Sequence, residues 1–144
     1  MRTDIGSMTP GRVAAQATHG GTELEQYMNK LKGRKTGKDS EIAKLHNQWL
    51  KQAGNFGTTI VLDLAEYEFG DRIFYPDGGI ESTLDHLKEW SEDGLMVFGK
   101  IHDPTYPIKD GDATLFAQVD TGIWLFGDAH EIGEAVQHLE LYGK

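Results

Sequence analysis

The 144-residue chain contains no cysteine. That excludes a disulfide scaffold, thiol nucleophiles and thiolate metal sites, and it suits a reducing cytoplasm. No apolar run approaches the roughly 18 residues of a membrane span. No charged-then-apolar signal segment opens the chain, so a soluble, cytoplasmic protein without membrane contact is expected. H-E-x-x-H, the P-loop and G-x-G-x-x-G are all missing. His46, His86 and His138 have no acidic or histidine neighbour at ligand spacing, so neither a structural metal nor a cofactor is expected. An excess of positive charge is also lacking. The net charge is -9, divided as +4 over residues 1–51 and -13 over residues 52–144. A generic nucleic-acid coat is basic throughout. Here a polyanion would be met by the first third and repelled by the rest.

What is present fits one domain, residues 1–144, with one core. Arg2-Thr3-Asp4-Ile5 reads as a short strand. Thr9 is a suitable N-cap and Pro10 a suitable first helical residue. Val13, Ala17, Gly20, Leu24, Tyr27 and Leu31 recur in steps of four and three, which predicts one buried face on a helix from Pro10 to Leu31. Residues 30–38 hold five basic residues, among them Lys32, Arg34 and Lys35, together with two glycines, and read as an exposed loop. A second helix is expected over 41–53, capped by Asp39 or Ser40, with Ile42, Leu45, Trp49 and Gln52 on one side. The run TTIVLDL, 58–64, is apolar on both faces and predicts a central strand. Residues 67–75 suggest a hairpin, residues from Glu81 a third helix, and 95–101 another strand. ATLFAQV and GIWLF are expected to pair about a turn at Asp120-Thr121-Gly122, and Asp110 and Asp112 are read as turn acids. A final helix is expected over 129–139. The alternation predicts an α/β fold of three layers, a mixed sheet of about four to five strands flanked by helices.

Two stretches carry chemistry. On the first helix Arg12, Gln16, His19 and Glu23 fall within an arc of roughly 60° at about 100° per residue. This polar stripe borders the buried face, where a helix meets a cleft wall. The helix N-terminus at Thr9 offers unpaired N–H groups to an anion, and Arg12 beside it has the fork to hold a phosphate. The plainer alternative is a solvated face. Gly20-Gly21 argues against that, since glycine inside a helix is favoured where something must come close. The second stretch is IHDPTYP, 101–107, at the end of an apolar strand, where ligands collect in α/β sheets. Asp103 there could act as a base or orient a water, and Thr105 and Tyr106 could donate hydrogen bonds. A turn in which Asp103 only binds backbone N–H groups is equally open.

The start of the chain resembles the type II peptidyl-tRNA hydrolases, the archaeal and eukaryotic class. Those open with a strand ending Arg-x-Asp-Leu, a Met-Gly-Lys-Gly-Lys loop and a helix reading Ala-Ala-Gln-x-x-His-Ala. Arg2-Thr3-Asp4-Ile5 matches the strand end, Met8 and Gly11-Arg12 the loop, and Ala14-Ala15-Gln16-Ala17-Thr18-His19 the helix. Trp49, GKIHDPTYPIKDG and the closing LFGDAHEIGEAVQHLELYG are similar to later family segments in the same order. The resemblance implies the family's fold and metal-independent hydrolysis of the ester joining a peptide to the 3′ ribose of tRNA. It implies His19 and Asp103 managing the water, Thr105 donating to the ester oxygen, and Arg12 holding phosphate. Gln16, Thr9, Lys32, Arg34 and Lys35 would complete the substrate contacts. The implied partner is the tRNA acceptor end or a nucleotide-like ligand, with a homodimer left open. The chain departs from the pattern at Pro10, where the family has a loop lysine, and at Gly20, where it has alanine. The alternative function is therefore a binding module on the same fold with impaired catalysis.

Overall fold

The computed structural model describes residues 1, 2, 5, 7–52, 54, 57–62, 64 and 79–143. Among them are four helices and one two-stranded antiparallel sheet. The architecture is α/β as expected, with two strands among the described residues where four to five were expected.

Helix α1 runs Pro10–Leu31, with Pro10 in its first turn and Thr9 at the N-cap in extended conformation. Its buried residues are Val13, Gln16, Gly20, Leu24, Met28 and Leu31. Gln16 and Met28 thus lie inside, while Ala17 and Tyr27 sit half-buried at the margin. Gly20 is where α1 comes closest to the sheet: a Cβ there would lie 2.8 Å from Ile101 Cδ1 and 3.4 Å from Trp124 Cβ. Gly21 faces open space.

Helix α2, Lys38–Leu50, starts earlier than expected because Gly37, at φ 77°, serves as its N-cap. Ser40 is therefore a buried residue inside the helix, not its cap. Helix α3, Ile80–Asp93, is entered through the left-handed Gly79, whose carbonyl accepts the hydroxyls of Ser82 and Thr83. Helix α4, Ala129–Val136, is capped by the Asp128 carboxylate, which accepts from the N–H groups of His130 and Glu131.

The sheet is one long hairpin. Strand β1 is Met96–Asp110 and strand β2 is Ala113–Gly127, turned at Gly111 and Asp112 with Gly111 at φ 58°. The turn expected at residues 120–122 is thereby corrected. Asp110-Gly111 supplies the left-handed residue a two-residue turn requires, and residues 120–122 lie within β2, opposite residues 101–102.

Helices cover both faces of the proximal half of this ribbon. On one face Leu24, Met28, Leu31, Ile42 and Phe126 form a cluster joined by Trp49, Val97 and Trp124, and Met1, Val13 and Ile101 form its neighbour. On the other face Leu87, Met96 and Ala135 pack with Phe98, Ile123 and Leu125. His46 is buried among α2 and β2 rings and meets Glu25 at 2.7 Å. Beyond Tyr106 the ribbon extends past the helices, and Leu115 and Phe116 are exposed, Phe116 by 71%.

Of the central strand expected over 58–64, Thr58, Thr59 and Ile60 are exposed and unpaired with the sheet, and among the described residues Leu62 forms an antiparallel bridge to Leu141. The segment is nevertheless tied to the hairpin by the N-terminus. The Met1 amine donates to the Leu62 carbonyl at 2.7 Å, the Leu64 N–H donates to the Met1 carbonyl at 2.8 Å, and the Arg2 N–H donates to the Thr121 carbonyl at 3.0 Å. The hairpin expected at 67–75 lies outside the described residues.

The two glycines of α1 should respond oppositely to added bulk. Gly21→Ala should stabilise by about 1 kcal/mol, the usual helix-propensity gain. Gly20→Val should destabilise by about 1–3 kcal/mol through overpacking against Ile101 and Trp124. Urea midpoints of the two variants check this, and equal shifts would contradict the close approach.

Candidate functional site

The site lies where α1 crosses the middle of the ribbon, and two irregularities in strand pairing create it. Between the pairs Ile101–Gly122 and His102–Asp120, Thr121 is an extra residue on β2. Between Asp103–Val119 and Tyr106–Ala117, Pro104 and Thr105 oppose Gln118 alone. Bulges of this kind re-aim side chains. Here they turn Asp103 and Thr121 toward the same face of α1, where both meet Gln16.

Gln16 is 3% exposed, Asp103 7% and Thr121 0%. Three polar side chains buried this deeply are tolerable only if paired, and they are. Gln16 Nε2 donates to Asp103 Oδ2 at 2.7 Å, and Thr121 Oγ1 donates to Gln16 Oε1 at 2.7 Å. The second Asp103 oxygen accepts the Thr105 N–H at 2.9 Å, with the Thr105 hydroxyl at 3.4 Å. Burial alone would raise the Asp103 pKa. The Thr105 N–H, the Gln16 amide, the nearby His19 and the Thr105 hydroxyl together outweigh it, so the carboxyl titrates below its ordinary value.

This chain of contacts fixes the histidine. A carboxylate only accepts, so Asp103 forces the amide of Gln16 to present its nitrogen there and its oxygen outward. His19 Nδ1 lies 3.3 Å from that oxygen. Since Oε1 is only an acceptor, Nδ1 carries the proton, and the neutral ring keeps its lone pair on Nε2. His19 is exposed. An exposed imidazole held in one tautomer through a buried amide and carboxylate is equipped to take a proton from water.

The structure therefore brings His19, Gln16, Asp103 and Thr105 together. Asp103 accepts from the backbone two residues on, as a turn aspartate does, and it also accepts from Gln16 on α1. Thr105 directs its hydroxyl to Asp103. Arg12 stands apart from the cluster. Its Nη1 donates to the Ser7 carbonyl at 2.6 Å, and its guanidinium lies 5.6 Å from the centre of the Tyr106 ring. Tyr106, fully buried, donates to the Met8 sulfur and accepts from Ser7. Thr9 is exposed at the N-cap, where its side chain makes no capping bond. Lys32, Arg34 and Lys35 are exposed on the loop after α1, with Arg34 3.8 Å from Asp39.

Thr121 was missed because residues 120–122 read as a turn. Asp120 is likewise no turn acid. On the opposite face of the ribbon it pairs with His102 at 2.8 Å and Lys100 at 3.0 Å, and Lys100 also reaches Glu81. Among the described residues, no three acidic or histidine side chains gather as metal ligands, and no helix is long and apolar enough to cross a membrane. The chain matches no family model, no curated protein and no solved structure.

Two measurements probe this arrangement. Long-range nitrogen–proton NMR should find neutral His19 protonated on Nδ1; an Nε2–H tautomer would break the proposed link to Gln16. The depressed pKa of Asp103 adds stability that is fully present above the unfolded value, near pH 4. That stability is lost as pH falls through the lower native value. Asp103→Asn should be less stable at pH 7 by about 1–3 kcal/mol, having mispaired Gln16. Its urea midpoint should also fall less steeply than that of wild type below pH 4.

Proposed function

We propose that the chain is a divergent type II peptidyl-tRNA hydrolase-like domain that hydrolyses the ester of peptidyl-tRNA, or of a related aminoacyl-nucleotide adduct, without a metal. The observation that carries this reading is His19, with Nδ1 committed to Gln16 and Nε2 directed away from it. In the proposed reaction Nε2 takes a proton as water oxygen adds to the ester carbonyl. The bond from carbonyl carbon to ribose oxygen then breaks, and the proton passes to that oxygen. The products are a ribose hydroxyl and a carboxylic acid, which gives its remaining proton to solvent and leaves as the carboxylate. Asp103 stays ionised and acts through Gln16.

The sequence motif from Ala14 to His19 supports the assignment, as does the N-terminal pairing of Met1 and Arg2 between residues 62–64 and β2. On this reading the described hairpin is part of a larger three-layer sheet of four to five strands, the protein acts in the cytoplasm, and the tRNA acceptor end is its partner. A homodimer is compatible with it. One observation favours the alternative, a binding module with impaired catalysis. The only cation in the stripe, Arg12, is engaged by Ser7 and Tyr106, and Pro10 stands where the family has a lysine.

Release of peptide from a defined peptidyl-tRNA decides between the two. Loss of a general base costs about 10²–10⁴-fold, so His19→Ala should slow release by that factor. Release by neither protein, with tRNA still bound, would establish the binding module. The basic loop is tested separately. Replacing Lys32, Arg34 and Lys35 together with alanine should weaken tRNA binding and flatten its dependence on salt. Unchanged binding would make the loop a solvated surface.

A further inference from the structure

Glu23 is the member of the α1 polar stripe for which the proposed hydrolysis has no task. One turn beyond His19, its Oε2 accepts the Trp124 indole N–H at 3.1 Å. The indole lies against Gly99 of the neighbouring strand, where a Cβ would come within 2.7 Å of Nε1. The ring of Tyr27 meets it at 5.7 Å and 57°. Glu23, Trp124 and Tyr27 are all half-buried. A carboxylate is thus set beside two aromatic rings at the edge of the cluster that orients His19.

Two carboxylates, Asp103 and Glu23, flank the imidazole of His19, while the Arg12 guanidinium is directed to Ser7 and Tyr106. A carboxylate at this edge attracts a cation. An ester of a ribose hydroxyl has one cation close to its carbonyl carbon, the α-ammonium of an unblocked aminoacyl group. A peptidyl or N-acylated group lacks it. Residues four apart on a helix have Cβ atoms about 5–6 Å from each other. That separation lets a carbonyl stand at His19 while the attached ammonium reaches the carboxylate of Glu23.

We infer that Glu23, with Trp124 and Tyr27, is a binding site for the α-ammonium group of an aminoacyl ester of a nucleotide, so that the acyl group this protein prefers has a free amino terminus. The inference rests on the ester-hydrolysis reading for placing the carbonyl at His19. It narrows that reading from peptidyl to aminoacyl substrates.

The test separates recognition from turnover by using amides that cannot be hydrolysed in place of esters. Puromycin carries an aminoacyl group with a free α-amine on an adenosine-like nucleoside, and N-acetylpuromycin lacks only the charge. Binding of each to the full chain at pH 6 is followed by NMR through the Trp124 indole N–H. Wild type should bind puromycin about tenfold or more tightly than its acetylated form, the factor expected of a charge-assisted bond. Glu23→Gln keeps an acceptor for the indole and removes the charge, so it should bind the two compounds equally. Equal or tighter binding of N-acetylpuromycin by wild type would overturn the inference. A preference surviving in Glu23→Gln, or no binding of either compound at millimolar concentration, would do the same. If the preference appears but 3′-phenylalanyl-adenosine is not hydrolysed, the hydrolysis reading falls and the ammonium site stands.

Discussion

The buried amide of Gln16 joins the helix layer to the ribbon. It donates to Asp103 and accepts from Thr121, which come from different strands and reach it only because each strand is bulged nearby. Apolar packing tolerates small slips of a helix along a sheet, whereas a buried amide between a fixed acceptor and a fixed donor does not. The junction therefore sets the register of α1 on β1 and β2. It also sets the rotation of α1, and so determines which residues of the polar stripe face the strands and which face solvent.

The same contacts explain why this part of α1 is polar on its buried side. An apolar residue at position 16 would leave the Asp103 carboxylate and the Thr121 hydroxyl without their partner, each at a cost of about 1–3 kcal/mol. The amide also takes a direction from a carboxylate and passes it to an imidazole, because its two ends have opposite roles. Charge near His19 is thus held at a distance from solvent, in Asp103, while the ring itself stays accessible. The opposite face of the ribbon carries a different solution, the exposed network of Lys100, His102, Asp120 and Glu81, which is screened by solvent and salt.

Helix α1 was legible to the residue, because Thr9, Pro10 and an uninterrupted periodicity mark it locally. The gathering of Gln16, His19, Asp103 and Thr105 was foreshadowed by the stripe and by the strand-end aspartate. That Gln16 lies inside was not, since a glutamine at the edge of an apolar face looks the same whether or not a carboxylate waits opposite. The hairpin turn was misplaced for a related reason. Asp-Thr-Gly at 120–122 and Asp-Gly-Asp at 110–112 carry equivalent local signals, and only pairing over the full length of both strands decides between them. The helix α2 boundary moved because Gly37 can occupy a left-handed conformation that no periodicity records. Residues 58–64 are apolar enough for a central strand, yet their neighbours in space, Met1 and Leu141, come from the two ends of the chain. Contacts between such distant segments leave no local trace.

The long ribbon has a mechanical consequence for the site. Its proximal half is clamped between helices, whereas residues 109–116 about the turn are all exposed. The bulge at Pro104 and Thr105 interrupts the ladder just before the buried Tyr106, so bending of the free end is taken up there more easily than in regularly paired strand. The free end measures roughly 15–20 Å at about 3.3 Å per residue. Asp103 and Tyr106 flank that bulge, and Tyr106 is buried against Ser7, Met8 and Arg12. A contact made at the exposed Leu115 and Phe116 would act on the site as a load on the far end of a lever, with Tyr106 at its fulcrum and Asp103 just behind it.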